Sequence, residues 1–232
     1  MPLLPMPSMI DPGNPIAAMR AAVFDMDGLM FNTEDIYTLV GRELLRRRGA
    51  VFSDELKKDM MGVPPQQSFE MMIARHRLAE SWRELAAESN AIFLSLVAEH
   101  IRPLPGLFDL LERLEKADLP KAIATSSARP LLDACLAPFD LHARFQFCLT
   151  AEDVLVGKPN PEVYLLAARR LGVRPAEMVV LEDSQNGCKA AAAAGAFTVA
   201  VPGAHSLDHD FSTASLIISS LADPRLFEVL RI

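Results

Sequence analysis

Two aspartates, two residues apart at the end of an apolar run, form the pair in this sequence best placed to do chemistry. Ala21-Ala22-Val23-Phe24 leads into Asp25-Met26-Asp27-Gly28. On a strand, residues i and i+2 project to the same side. A strand ending here therefore delivers both carboxylates into one cleft at its carboxyl edge, where open α/β sheets bind ligands. Two ionised carboxylates this close repel unless a cation shares them. The pattern points to a metal-assisted carboxylate nucleophile with an acid/base partner. Because Asp and Gly also favour turns, the octapeptide reads as well as a strand ending in an acidic turn.

Three further stretches carry polar groups of the right type. Thr125-Ser126-Ser127 follows a short apolar run and offers hydroxyls and backbone N–H groups to phosphate oxygens. Taken alone, it reads first as an N-cap before a helix at Arg129-Pro130. Gly157-Lys158-Pro159 holds a lysine between two residues that constrain the backbone, where it can offset a phosphate and a carboxylate. Taken alone, it reads first as a solvated lysine in a Pro-rich loop. Leu181-Glu182-Asp183-Ser184 ends another apolar run. Its two acids can complete an oxygen shell for Mg²⁺, or Asp183 or Ser184 can cap the next helix.

The elements that must position these groups alternate. A first strand is expected near 20–25. A mostly helical stretch from about 34 to 100 follows, with apolar residues at helical spacing such as Tyr37-Thr38-Leu39-Val40 through Leu44-Leu45 and Phe69-Glu70-Met71-Met72-Ile73. The turn-rich Arg102-Pro103-Leu104-Pro105-Gly106 ends it. Helices near 107–117, 129–137, 161–171 and 186–194 then precede strands at 121–125, 145–149, 178–181 and 197–201, with a last short strand at 216–218. Short apolar strands alternating with helices argue for a parallel sheet covered on both faces. All four polar stretches then lie at strand ends or in the loops leaving them, on one shared edge.

The expected division is a loose N-terminal arm over 1–18, an α/β core over 19–33 and 101–232, and a helical insert over 34–100. The stretch 1–18 is Pro- and Met-rich, lacks the make-up of a signal peptide and reads as a loose arm or as an upstream extension before a start near Met19. The chain has 232 residues, half of them hydrophobic, and a net charge of −7, enough for a sizeable core. Arg46-Arg47-Arg48 is its only basic run and reads as a solvated helix end favouring the dipole. No nucleic-acid partner is expected, nor a membrane span. Cys135, Cys148 and Cys188 show no metal-ligand spacing and fit a reducing cytoplasm.

Phe24-Asp25-Met26-Asp27-Gly28, Ala124-Thr125-Ser126, Lys158-Pro159 and Glu182-Asp183-Ser184 together resemble, in chain order, the four motifs of the haloacid dehalogenase superfamily. The helical insert is similar to its C1-type cap, and the chain looks most like the β-phosphoglucomutase and small phosphatase subfamily. The resemblance covers roughly residues 20–222 and implies a Rossmann-like fold. It also implies roles. Asp25 would be the nucleophile that forms an aspartyl-phosphate. Asp27 would protonate the leaving group and then activate water. Asp25, the Asp27 carbonyl and Asp183 would hold Mg²⁺, with Glu182 at close range. Thr125, Ser126 and Lys158 would bind the phosphoryl group.

Asp27 argues for phosphate ester chemistry, since the dehalogenases of this superfamily need no acid/base at that position. The family's mutase carries a histidine where this chain has Tyr37, and a basic residue in a cap loop that here looks like Gly62-Val63-Pro64-Pro65-Gln66-Gln67-Ser68. A mutase must hold a second phosphate, for which Arg or Lys is the natural holder. Gln66 and Gln67 instead suit hydroxyls or amides of a neutral leaving group, although Arg75 and His76 are near enough in sequence to reach the cleft. Asn32 stands where family members usually carry Asp. The expectation is a Mg²⁺-dependent phosphatase of a small phosphorylated metabolite, monomeric or weakly dimeric. A phosphomutase and a non-catalytic phosphate-binding protein are the alternatives.

Overall fold

The computed structural model describes residues 18–60, 63 and 65–232, so nearly all of the expected arm, and Gly62 and Pro64 of the expected cap loop, lie outside the described residues. Six strands form one parallel sheet: β1 Ala21–Phe24, β2 Lys121–Ala124, β3 Cys148–Leu149, β4 Met178–Glu182, β5 Phe197–Ala200 and β6 Leu216–Ile217. Their spatial order is β3-β2-β1-β4-β5-β6. The chain lays strands to one side of β1 and then crosses to the other. This is the doubly wound arrangement, which opens a crevice beyond the carboxyl ends of the strands where the order reverses. Phe24 pairs with Ile123 on one side and Leu181 on the other. The next level up therefore holds Asp25, Ala124 and Glu182.

The strands are short because each is a run of apolar residues buried on both sides. Ala22 and Phe24, Ile123, Val179 and Leu181, and Val199 face one side. Val23, Ala122 and Ala124, and Met178 and Val180 face the other. The first face is covered by α5 (Leu107–Lys116), α6 (Arg129–Leu136) and α9 (Pro224–Leu230), the second by α7 (Glu162–Leu171) and α8 (Gln185–Ala194). The strand expected at 145–149 narrows to Cys148–Leu149, a 3-10 turn over His142–Arg144 standing just ahead of it, and the Phe145 ring packs edge-on against Phe24 at 5.7 Å between centroids.

Between β1 and α5 stand four helices: α1 Thr33–Arg46, α2 Asp54–Met60, α3 Pro65–His76 and α4 Trp82–His100. Ile36, Val40 and Leu44 of α1 recur every four residues and are buried. A capping box opens α4: Ser81 Oγ accepts from the Glu84 N–H (3.3 Å) and Glu84 Oε2 accepts from the Ser81 N–H (2.8 Å). The block's apolar interior is continuous with the first face of the sheet, and α4 packs against α6.

The two chain crossings that join this block to the sheet lie side by side. Phe31 bridges Pro103 in antiparallel fashion. The Asn32 N–H donates to Arg102 O (3.1 Å), and Asn32 Oδ1 accepts from the Arg102 N–H (2.7 Å).

Two local expectations need correction. Arg46-Arg47-Arg48 is not simply a solvated helix end. Arg48 is largely buried, donating to Glu80 (2.8 Å), Glu88 (2.6 Å) and Leu44 O (2.8 Å), and Arg47 reaches Glu43 and Glu88. The run thus ties α1 to the start of α4. Gln66, Gln67 and Ser68 are not in a loop, because α3 begins at Pro65, a residue preorganised for the first helical position. No helix among the described residues is long and apolar enough to cross a membrane.

Candidate active site

The site begins one residue beyond β1. The Asp25 N–H donates to Leu181 O (3.0 Å), continuing the ladder past the strand and fixing the side chain between β2 and β4. Lys158 Nζ donates to Asp25 Oδ1 (2.5 Å), Glu182 Oε1 (2.7 Å) and Ala124 O (2.9 Å). The lysine is therefore buried rather than solvated, with a side chain 6% exposed. Burial alone would lower its ammonium, but the charges of Asp25 and Glu182 hold it well above its ordinary value. The Lys158–Pro159 peptide bond is cis.

Beyond Asp25 the chain closes into a tight loop. The N–H groups of Met30 and Phe31 donate to Met26 O (3.0 and 3.3 Å), and that of Gly28 donates to Phe31 O (3.0 Å). This loop turns Asp27 toward the end of β2. Asp27 Oδ2 accepts from Thr125 Oγ1 (3.0 Å) and Ser127 Oγ (2.8 Å), while Oδ1 is buried without a hydrogen-bond partner. Thr125 Oγ1 also accepts from the Ser127 N–H (3.0 Å). Ser126 between them is exposed. These hydroxyls do not cap α6. Its N-cap is Ala128, and the Arg129 N–H donates to the Glu152 carboxylate (3.2 and 3.3 Å).

At the end of β4, Glu182 is wholly buried. Its Oε1 accepts from Lys158 and from the Tyr164 hydroxyl, and its Oε2 accepts from Ser184 Oγ (3.0 Å). Ser184 also caps α8, accepting from the Gly187 N–H (3.1 Å). The first turn of α8 lies so close to β4 that a Cβ on Gly187 would stand 1.9 Å from the Glu182 carboxyl carbon, a position only glycine can fill.

Asp25, Glu182 and Asp183 are all buried, and one carboxylate oxygen from each lies within 4.8 Å of the others. Burial pushes Asp25 up to about 8, with Lys158 opposing and Glu182 and Asp27 adding to the rise. Burial, and then the charges of Asp25 and Glu182, push Asp183 well above the usual carboxylate range. Three buried carboxyls face one ammonium, so all three can ionise together only with a further cation. Hard oxygen donors in that setting fit a Mg²⁺-type cation. The unpartnered Asp27 Oδ1 marks a further buried acceptor beside the cluster.

The helical block contributes Glu34 and Tyr37 from α1. Burial pushes the Glu34 carboxyl up, Asp27 adds to the rise, and His205 and Lys57 oppose it. Burial and Asp27 likewise raise the Tyr37 phenol against a hydrogen bond with Ser127. The Tyr37 ring packs on Phe93 at 4.8 Å between centroids. Lys58–Asp208 (3.1 Å) and His205–Asp35 (3.1 Å) link the block to the loop after β5. Gln66 and Gln67 are exposed, and the Gln66 amide donates along its own helix to Glu70 (2.8 Å). Arg75 is held by Asp59 (2.7 Å) and Glu55 (3.4 Å) of α2.

The structure thus brings Asp25, Asp27, Thr125, Lys158, Glu182 and Asp183 together. It places Ser126 at the rim and shows no contact between Gln66 or Gln67 and this group among the described residues. Three neighbours went without an assigned role in the sequence. Ser127 was findable, since it stands two residues from Thr125 on an extended segment and shares its side. Tyr164 and Glu34 sit on helix faces that read as ordinary amphipathic pattern.

Comparison with known proteins agrees with this geometry. The sequence profile described as haloacid dehalogenase-like hydrolase matches residues 22–201. A Drosophila melanogaster protein named "Probable pseudouridine-5'-phosphatase" is 33% identical over 207 residues, covering 87% of this chain and 89% of that protein. The "Phosphorylated carbohydrates phosphatase" of Thermotoga maritima is 32% identical over 181 residues, 76% of this chain and 82% of that one. The crystal structure of CbbY from Rhodobacter sphaeroides in complex with phosphate superposes with a TM-score of 0.79 at 26% identity, covering 88% of this chain and 96% of that chain. With its core sheet, its four strand-end motifs and this match all pointing the same way, the chain belongs to the haloacid dehalogenase-like hydrolases.

Proposed function

We propose that this protein is a Mg²⁺-dependent phosphatase that hydrolyses a small phosphorylated metabolite through an aspartyl-phosphate on Asp25. The observation that carries the reading is the placement of Asp25 against Lys158 beside an Asp27 held by two hydroxyls. Asp25 is the nucleophile: its free oxygen attacks phosphorus in line with the leaving oxygen. Asp27 gives its proton to that oxygen, releasing the alcohol, and then takes a proton from the water that hydrolyses the acyl phosphate. Thr125 and Ser127 fix the Asp27 carboxyl so that one oxygen is anchored and the other is free for proton transfer. Lys158 offsets the charge of nucleophile and phosphoryl group, with Ser126 at the rim as a further phosphoryl contact.

Asp25, Asp183 and the Asp27 carbonyl would hold Mg²⁺, with Glu182 close by but already accepting hydrogen bonds on both oxygens. The ion, when bound, supplies positive charge against which an anionic nucleophile and an anionic phosphate can meet.

In this reading the helices from 34 to 100 form a cap over the sheet's carboxyl edge and exclude water during phosphorylation. The substrate is a monophosphate with a neutral, hydroxyl-bearing leaving group. Two observations support this class. The relatives above are named for phosphorylated carbohydrates and a nucleoside phosphate. Glu34 and Tyr37 bring an acceptor and a hydroxyl, not a cation, toward Asp27. The three free cysteines suit a reducing cytoplasm.

The test is free phosphate release across sugar, polyol, nucleoside and acid monophosphates, with Mg²⁺ and then with EDTA. Mg²⁺-dependent release concentrated in hydroxyl-bearing esters is the expected result. Release unaffected by EDTA, or isomerised product without free phosphate, would overturn the proposal.

A further inference from the structure

A lysine ammonium has three protons to donate, and in this site all three are taken. Asp25 Oδ1 lies at 2.5 Å, Glu182 Oε1 at 2.7 Å and Ala124 O at 2.9 Å. An arriving phosphoryl group must therefore draw one donor away. Losing the bond to Ala124 O leaves a buried carbonyl unpaired, and losing the bond to Asp25 uncovers the carboxylate that is to attack. Glu182 differs from both. Its Oε1 already has a second donor, the hydroxyl of Tyr164, and its Oε2 is held by Ser184.

Tyr164 lies on the inner face of α7 and is wholly buried, with its ring centroid 5.1 Å from Lys158 Nζ. Leaving a buried charged acceptor unpaired costs more than the pair itself contributes. The residue that keeps Glu182 paired therefore decides how readily Lys158 can turn.

We propose that Tyr164 is a positioning residue that stands in for Lys158 at Glu182 Oε1 while the ammonium turns to the phosphoryl group. The proposal rests on the reading of Lys158 as a phosphoryl ligand. Without the hydroxyl, Oε1 has Lys158 alone and retains it, so affinity for the phosphoryl group falls although no group that touches the substrate has changed.

The test compares the wild type, Tyr164→Phe and Lys158→Gln as Mg²⁺-loaded full-length proteins. Calorimetric titration with inorganic phosphate is set beside melting temperature and beside kcat and KM on one active ester. Tyr164→Phe is expected to bind phosphate about tenfold more weakly, the factor expected for one hydrogen bond to a charged group, with KM raised in step. A lowered melting temperature with unchanged phosphate affinity and KM means that the hydroxyl only supports packing, and the inference fails. If Lys158→Gln binds phosphate as the wild type does, the reading of Lys158 fails as well. If Lys158→Gln loses affinity and Tyr164→Phe does not, the inference about Tyr164 fails alone.

Should Tyr164→Phe not fold, fluorotyrosine labelling decides. The chain has two tyrosines, and the Tyr164 fluorine resonance, assigned with Tyr37→Phe, is expected to shift on phosphate addition. A Tyr164 resonance that stays in place would overturn the inference.

Discussion

Gly28 and Asp183 meet so closely that a Cβ on Gly28 would stand 2.2 Å from Asp183 Oδ2. Gly28 also has φ +71°, a conformation that other residues adopt at a cost of about 1–2 kcal/mol. Gly28→Ala must therefore strain the loop or displace the acid proposed to hold the ion. The expected outcome is a modest loss of stability and Mg²⁺ affinity weakened by roughly 10–100-fold, as when a ligand's support is disturbed. Mg²⁺-induced shifts in melting temperature measure both, and a variant with wild-type Mg²⁺ affinity would show that the loop yields and Asp183 does not.

Asp25 joins the chemistry to the pH dependence of stability. Its carboxyl is pushed up to about 8 by burial. A group raised on folding binds its proton more tightly in the folded state. Its stabilising contribution is complete below the ordinary carboxylate pKa of about 4 and is lost as pH rises toward 8. The metal-free protein should therefore lose melting temperature between these values. Asp25→Asn, which cannot ionise, should flatten part of that decline and lower turnover by about 10³-fold or more. Parallel declines in both proteins, or near-normal activity in the variant, would refute the assignment.

Asp27→Asn keeps an acceptor for Thr125 and Ser127 but cannot give up a proton. The loss in kcat/KM should reach about 10²–10⁴-fold for alkyl phosphates. It should shrink for aryl phosphates, whose leaving groups depart without protonation. A uniform loss along a series of leaving-group pKa values would exclude Asp27 as the general acid.

Glu34 places a carboxyl near Asp27 from the side of the helical block, where its ionised form adds like charge. Like charge disfavours a ligand that carries a second anion. Glu34→Gln should raise kcat/KM on carboxylate-bearing monophosphates relative to polyol phosphates by about tenfold, at about 1.4 kcal/mol per factor of ten. An unchanged ratio would show that Glu34 does not select the leaving group.

The parallel sheet was legible because its strands are buried on both faces and so appear as unbroken apolar runs, as at Met178–Leu181. The strand ends were legible for the same reason, since Asp25, Thr125 and Glu182 each interrupt such a run. Which polar residue faces inward was harder to read. Ser126 and Ser127 are chemically identical neighbours, and only the two-residue period that links Asp25 with Asp27 separates them. Arg48 was read as solvated because Glu80 and Glu88 lie 32 and 40 positions away and become neighbours only when α4 packs on α1. Tyr164 was hidden for the opposite reason. A large ring on the inner face of a helix is what packing alone would select, and nothing in the sequence shows that its hydroxyl meets Glu182.

The adjoining crossings at Asn32 and Arg102 bear on how such a protein can change over time. Everything from 33 to 101 enters and leaves the sheet at one narrow neck, fastened by backbone bonds and a single amide side chain. A different set of helices can be spliced in there without re-registering any of the six strands. The exchange must preserve the surface through which α4 meets α6, because a newcomer lacking it would leave the sheet's own covering helix bare to water. Sheet and helical block are thereby joined by two short segments, one shared apolar seam and the ion pairs Lys58–Asp208 and His205–Asp35.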